Sequence, residues 1–252
     1  MKVSVCCPSY KRPNCDTLKY LPFCKVYVDG AEYEDYKAKN PKAEIIKCDP
    51  GIQGNVARVR NYILEKEFEK GAEVVCLVDD DMQYIGYWEN HKKHKVETKD
   101  FLQFVYKYSQ MAMDLGAKMW GVNVYADEKG YMIITPLNTT KVILGPFSCF
   151  LNGGGCRYDE ALPLKEDYDM FIQQCNVNRK VLRINKFFYS CKQSINAGGC
   201  ASVRNSEKEL QQLEALKSKW GGRIVKYDKK ANSQKRKVID YNPIIRIPIK
   251  GV

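Results

Sequence analysis

Three acidic side chains in a row close a strongly apolar run of the chain, Val74-Val75-Cys76-Leu77-Val78-Asp79-Asp80-Asp81. A short, continuous, β-branched run has the pattern of a strand covered on both faces. Open α/β sheets bind ligands at the carboxyl ends of such strands. Adjacent carboxylates repel one another unless a cation lies between them. Hard oxygen donors suit Mg2+ or Mn2+, commonly shared with phosphate oxygens. Asp79 and Asp81 fall on one side of an extended segment and are the candidate metal ligands. Asp80 is left to face a sugar or a cationic side chain. A solvated acidic turn is the competing reading.

Three further constellations could carry chemistry. Pro8-Ser9-Tyr10-Lys11-Arg12 leaves a first strand at the same sheet edge, with an aromatic ring and cations for a nucleotide base and phosphate, or as an ordinary turn. Gly51-Ile52-Gln53-Gly54-Asn55 opens a helix, exposing backbone N–H groups and the positive end of its dipole. On that helix Arg58 and Asn61 are three apart and share a face, so they can turn together towards a nucleotide. The loop is neither a Walker loop nor Gly-x-Gly-x-x-Gly, and an arginine-bearing surface helix fits it too. Lys165-Glu166-Asp167-Tyr168-Asp169 places carboxylates in the first turn of a helix after Pro163. Helix capping explains acids there, and so does a general base. Gly153-Gly154-Gly155 and Ala197-Gly198-Gly199 permit a lid over a substrate or plain turns.

Strands are expected at 3–7, 25–28, 44–48, 74–78, 119–125, 131–135, 141–151 and 181–189. Helices are expected at 55–70, 101–115, 164–176 and 206–219. In the helix at 164–176, Tyr168, Phe171, Ile172 and Cys175 form the inner face. Residues 89–100 read as a charged, exposed excursion. Strands alternating with helices over the first 80 residues predict an α/β, Rossmann-like, mostly parallel sheet flanked by helices.

At 252 residues with 44% hydrophobic content the chain can bury a full core, and general disorder is excluded. No apolar stretch reaches membrane-spanning length, so membrane insertion is not expected. The N-terminus enters a strand without a signal-peptide region, and a cytoplasmic location is expected. Eleven cysteines without a Cys-x-x-Cys, and histidine only at His91 and His94, give no zinc pattern; the cysteines read as reduced core residues. The net charge of +11 is concentrated late, with thirteen Lys and Arg against five Asp and Glu from residue 203 onwards. Lys229, Lys230, Lys235, Arg236 and Lys237 are the densest cluster. They suit a polyanion such as DNA, or a merely solubilising tail. Residues 1–202 are expected to form one domain, with 203–252 a basic C-terminal extension.

Taken in order, the Pro-Ser-Tyr loop, the Gly-x-x-Ala-Arg-x-x-Asn helix, the acidic triplet and the Glu-Asp-x-Asp helix start resemble a GT-A-fold glycosyltransferase over roughly residues 1–200. Within that fold the chain is most similar to the phage TET-associated glycosyltransferases, which glycosylate 5-hydroxymethylpyrimidines in DNA. The residues carrying this likeness are Val5-Cys6-Cys7-Pro8-Ser9-Tyr10-Lys11-Arg12-Pro13, Trp120-Gly121-Val122-Asn123, Lys165-Glu166-Asp167-Tyr168-Asp169 and Ser194-Ile195-Asn196-Ala197-Gly198-Gly199.

The resemblance implies a UDP-sugar donor, a DNA acceptor carrying 5-hydroxymethylcytosine or 5-hydroxymethyluracil, and a phage enzyme working in its host's cytoplasm. It implies that Asp79 and Asp81 hold Mn2+ or Mg2+ on the donor diphosphate. Pro8, Ser9, Tyr10, Arg12, Arg58, Asn61, Asp79 and Asp80 would hold the nucleotide sugar, and Asp167 would be the base, with Glu166 orienting beside it. Trp120 and Asn123 would shape the sugar or acceptor pocket. A departure from the pattern is that no histidine follows His94, so the late histidine ligand of many such enzymes has no counterpart. A transferase acting on polysaccharide or protein, and an inactive DNA-binding module, are the alternatives. The sequence does not indicate the oligomeric state.

Overall fold

A computed structural model describes residues 1–124, 126–127, 131, 134–192, 205–228 and 239–249. The β-branched and cysteine-rich runs of the first 80 residues form β1 (Val3–Pro8), β2 (Lys25–Val28), β3 (Ile45–Lys47) and β4 (Val74–Val78). They lie in the order β3-β2-β1-β4, all parallel. Beyond β4 the sheet continues with β9 (Phe147–Leu151), β7 (Met119–Asn123), β10 (Leu182–Cys191), β5 (Met82–Glu89) and β6 (Lys92–Lys95), while β8 (Leu137–Asn138) pairs with β10. Among the described strands of this sheet, only β5, β8 and β9 run against β1. The carboxyl ends of β1, β4, β7 and β10 therefore open on one edge, which is where ligands of α/β sheets bind.

Every side chain of β4 is buried. Val74, Cys76 and Val78 enter the core on one face, and Val75 and Leu77 enter the core on the other. Helix α4 (Phe101–Asp114) covers the first face, together with the short α1 (Thr17–Tyr20) and α2 (Tyr33–Lys39). The second face is covered by α3 (Val56–Glu69), α5 (Glu166–Asn178) and α6 (Ser206–Trp220). Helix α3 begins where the Asn55 side chain caps the N–H groups of Ala57 and Arg58. On α5, Tyr168, Phe171, Ile172 and Cys175 are all buried, as the helical spacing predicts. Leu213 and Leu216 of α6 join the same core, followed by a small antiparallel pair, β11 (Val225–Tyr227) with β12 (Pro243–Ile245).

The structure departs from the sequence expectation in a few places. The chain does not leave the sheet after the acidic triplet: β5 starts at Met82 and pairs with β10, and the excursion at 89–100 is largely the β5–β6 ribbon. Its half-exposed pattern hides a strand whose partner lies a hundred residues downstream. Gly86 is fixed there by packing, because a Cβ would sit 2.4 Å from the Phe188 ring. In 141–151 only Phe147–Leu151 forms a strand. Parts of the expected strand at 131–135 and of the turn before it lie outside the described residues, as do residues 194–199, Lys229, Lys230, Lys235, Arg236 and Lys237. The ten described cysteines are free, and most are buried. No helix among the described residues is long and apolar enough to cross a membrane.

Candidate active site at the carboxyl edge of the sheet

The acidic triplet emerges from β4 beside the start of β9, where the Asp79 N–H donates to the Pro146 carbonyl at 3.3 Å. Its partner is an arginine that the sequence reading did not single out. Arg60, on α3, donates from Nη2 to Asp79 Oδ1 at 2.9 Å and from Nη1 to Glu166 Oε1 at 2.7 Å. The acidic triplet and the Glu-Asp helix start are thus joined through one guanidinium.

Arg60 is only 4% exposed and lies 5.7 Å from the Tyr158 ring centroid. Gly145 makes room for it, since a Cβ there would sit 2.6 Å from Arg60 Nη2. The signal in the sequence is that Arg60 falls on the apolar stripe of α3 with Ile63 and Leu64, at i+3 and i+4, a stripe that carries a second charge, Glu67, at i+7. A charge on such a stripe needs a buried partner. Glu67 has its own partners there, accepting from Lys25 at 2.6 Å, Tyr27 at 2.6 Å and Lys70 at 2.9 Å, and from Ser4.

Burial by itself disfavours the Arg60 charge, but Asp79, Tyr158 and Glu166 more than offset it and hold the guanidinium protonated. Both partners of the Arg60–Glu166 pair are shifted upward, which favours the charged form of the arginine and the neutral form of the acid. Burial, reinforced by Asp167, pushes the Glu166 carboxyl up to about 8 although Arg60 opposes it. Near neutrality, then, Glu166 is largely protonated, and the charge of Arg60 is answered chiefly by Asp79. Asp167, one residue on, is held by backbone: its carboxylate accepts from the Gly145 N–H at 3.2 Å and from the Tyr168 N–H at 2.8 Å. Asp169 belongs to the packing of α6, accepting from Trp220 Nε1 at 2.7 Å and pairing with Lys219 at 2.9 Å.

Asp80 turns away from Arg60. Its carboxylate accepts from Arg12 Nη1 at 2.8 Å and from Ser9 Oγ at 2.7 Å, so its facing group is cationic, one of the two expected alternatives. Ser9 also shares a hydrogen bond of 2.8 Å with the Tyr36 hydroxyl, which accepts from the Arg12 N–H at 3.0 Å. The Pro8–Arg12 loop is thereby strapped to both Asp80 and α2, with Lys11 in a left-handed conformation at φ 57°. Burial raises the Asp80 carboxyl, against the pull of Arg12 and Ser9. Asp81 is also buried. Burial first, then Asp79 and Asp80, push its carboxyl up to about 6.

The other candidate residues do not touch the Arg60 bridge in the contacts described. Arg58 is engaged with Glu160 at 2.8 Å and with the Gly51 carbonyl at 2.8 Å. Asn61 is buried and exchanges two hydrogen bonds with the backbone of Tyr158, donating at 2.9 Å and accepting at 2.8 Å. Trp120 is fully buried in the aromatic core, donating to Ser109 at 2.9 Å. Asn123 is buried at the carboxyl end of β7, on the edge that carries the acids.

Among the described residues no three His, Cys, Asp or Glu side chains converge as a ready-made metal site. The donor chemistry nevertheless fits a hard divalent cation that keeps places for phosphate oxygens and water. Asp79 is partly exposed, and Asp81 carries a negative charge that burial and two neighbouring acids make costly.

No family model and no curated protein sequence matches the chain. Among solved structures it is similar to glucosyl-3-phosphoglycerate synthase from Mycobacterium tuberculosis in complex with Mn2+, UDP-glucose and phosphoglyceric acid. That likeness has a TM-score of 0.51 at 6% identity and covers 91% of this chain and 84% of that one. It is also similar to S. aureus TarS, with a TM-score of 0.49 at 12% identity over 87% of this chain; it spans 39% of that longer chain. A UDP-glucose pyrophosphorylase complexed with UDP-glucose aligns with a TM-score of 0.46 at 8% identity, over 87% of this chain and 99% of that one. The likeness to the synthase shows the fold, an α/β, Rossmann-like sheet of GT-A type flanked by helices.

Proposed function

We propose that the chain is a glycosyltransferase moving a sugar from a UDP-sugar to the hydroxyl of 5-hydroxymethylcytosine or 5-hydroxymethyluracil in DNA. The observation that carries the reading is the Arg60 bridge, which sets Asp79 and the Glu166-Asp167 pair on two sides of one guanidinium at the carboxyl edge of the sheet. A site that stabilises a leaving diphosphate and activates an acceptor needs both halves at one place.

In this reading Asp79 and Asp81 hold Mn2+ or Mg2+. When bound, the metal supplies positive charge against the departing diphosphate. Asp167 takes the proton of the acceptor hydroxyl, its carboxylate aimed by the Gly145 N–H. Glu166 fixes Arg60 rather than reacting, and Asp80 holds the Pro8–Arg12 loop around the nucleotide through Arg12 and Ser9. Support for DNA as the acceptor comes from the resemblance of the Val5–Pro13 and Glu166–Asp169 segments to the TET-associated enzymes, and from the net charge of +11. Residues 203–252 serve one domain with the rest as a DNA-tracking extension, and the enzyme works in the cytoplasm.

The test is mass spectrometry of hydroxymethylated DNA after reaction with a panel of UDP-sugars and Mn2+. A hexose on the hydroxymethylpyrimidine, lost in Asp167→Asn, is the expected result. Label entering only a carbohydrate or protein acceptor would overturn the DNA reading. Modification unchanged in Asp167→Asn would overturn the assignment of the base.

A further inference from the structure

A cleft of about 890 Å³ opens beside the Pro8–Arg12 loop and reaches Asp80 of the acidic triplet. Its walls are the loop before α1, α1 itself and the turn from α2 to β3, and its inner end is Asp80. Its volume is that of a ligand cleft, typically about 300–1,000 Å³. Five cations line it, Lys11, Arg12, Lys19, Lys39 and Lys42, against two carboxylates, Asp16 and Asp80. Both carboxylates are already engaged, Asp80 by Arg12 at 2.8 Å and Asp16 by Lys192 at 2.9 Å and by Lys19. Lys39 and Lys42 are exposed, and Lys11 rests over the Tyr10 ring at 5.0 Å. The cleft thus keeps a surplus of positive charge above a partly apolar floor to which Leu18 and Pro41 contribute.

We infer that this cleft is a phosphate track for single-stranded nucleic acid, guiding the backbone of the acceptor strand past Asp80 to the acids. Lysines along an open groove neutralise successive phosphates without reading bases. Among the described residues no aromatic side chain lines the cleft, so backbone charge rather than base stacking is what it recognises. A nucleoside diphosphate offers the same phosphate chemistry, and Arg12 and Asp80, which the proposed function gives to the donor, line one part of the cleft, so donor binding is the competing outcome that the test separates. The inference rests on the DNA-acceptor reading, which names whose phosphates these are.

The experiment uses the full chain and a fluorescein-labelled single-stranded oligonucleotide, followed by anisotropy between 50 and 200 mM salt. Lys39→Glu/Lys42→Glu is compared with wild type and with Lys99→Glu, an exposed lysine outside the cleft. The expected result is roughly tenfold weaker binding at the lowest salt for the cleft variant. Its log–log salt slope should be smaller by about 1.4, at about 0.7 per single-strand phosphate contact. UDP binding with Mn2+, measured by calorimetry, should be unchanged, as should the melting temperature. Lys39→Gln/Lys42→Gln gives the same readout without introducing acids. Oligonucleotide binding as tight in the cleft variant as in wild type, or UDP binding lost while oligonucleotide binding persists, overturns the track; the second outcome assigns the cleft to the donor. Transfer to hydroxymethylated DNA is assayed in parallel. If transfer survives while cleft binding is absent, only the track fails; if the cleft binds strands but no sugar reaches DNA, only the acceptor reading fails.

Discussion

Asp79 and Glu166 share the guanidinium of Arg60, one at 2.9 Å and the other at 2.7 Å, although they stand at the ends of different elements. This contact locks the exit of β4 against the entrance of α5. The two carboxylates do not share the positive charge equally, because burial keeps Glu166 largely protonated and leaves Asp79 as the main counter-ion.

Removing that guanidinium should cost both stability and rate. Arg60→Met leaves Asp79 without its counter-ion and the Glu166 carboxyl without its hydrogen-bond donor, and breaking a buried pair of this kind costs up to about 3–5 kcal/mol. Chemical denaturation should show the loss. In a double-mutant cycle Arg60→Met with Glu166→Gln should be less than additive, and strict additivity would mean that the two side chains do not interact. Gly145→Ala should lower transfer too, because its Cβ would meet Arg60 Nη2 at 2.6 Å.

The raised Glu166 carboxyl sets a pH signature. Its folded pKa, about 8, lies above the ordinary 4.5, so the folded state holds a proton that the unfolded chain gives up between those values. The contribution is harmless below about pH 4.5 and becomes a growing destabilisation as pH rises towards 8. Glu166→Gln, which mimics the protonated acid, should therefore gain melting temperature relative to wild type from pH 5 to pH 8. A difference that stays flat across that range would refute the assignment.

Glu67 should behave in the opposite way. Burial raises its pKa, but Lys25, Ser4, Tyr27 and Lys70 outweigh that and bring it down to about 2. Its stabilisation is full above about pH 4.5 and is lost as pH falls towards 2. Glu67→Gln should cost on the order of 3 kcal/mol at pH 7, judged from the size of the shift. That deficit should shrink steadily below pH 4.5, as followed by urea titrations at several pH values.

Single replacements in the acidic triplet should be unequal. Asp79→Asn and Asp81→Asn should abolish the rise in melting temperature on adding Mn2+ with UDP. Asp80→Asn should keep most of that rise while loosening the Pro8–Arg12 loop and raising KM for the donor, since its partners are Arg12 and Ser9. Equal losses at all three positions would remove the division of roles.

The sequence by itself determined most of the elements and the places where chemistry could gather. β4 was legible because a strand covered on both faces must be apolar throughout. Helix α3 was legible from its glycine-rich start and its spacing, and α5 from its buried stripe. The triplet and the Glu-Asp helix start stood out as acids at element ends. Which cation each acid meets was decided only by the tertiary structure. Arg58 looked the better placed arginine, yet it pairs with Glu160, while Arg60, two residues on, points inward to Asp79 and Glu166. Two residues along a helix are about 200° apart, so Arg58 and Arg60 face nearly opposite ways, and only the one on the side that α3 lays against the sheet reaches the acids. The partners that make the choice come from β4 and α5, far apart in the chain. Asp80 likewise could have faced a sugar or a cation, and it is the fold of the Pro8–Arg12 loop over β4 that set Arg12 and Ser9 against it. Local periodicity fixes which side of an element is apolar; only the packing of one element on another fixes which charges meet.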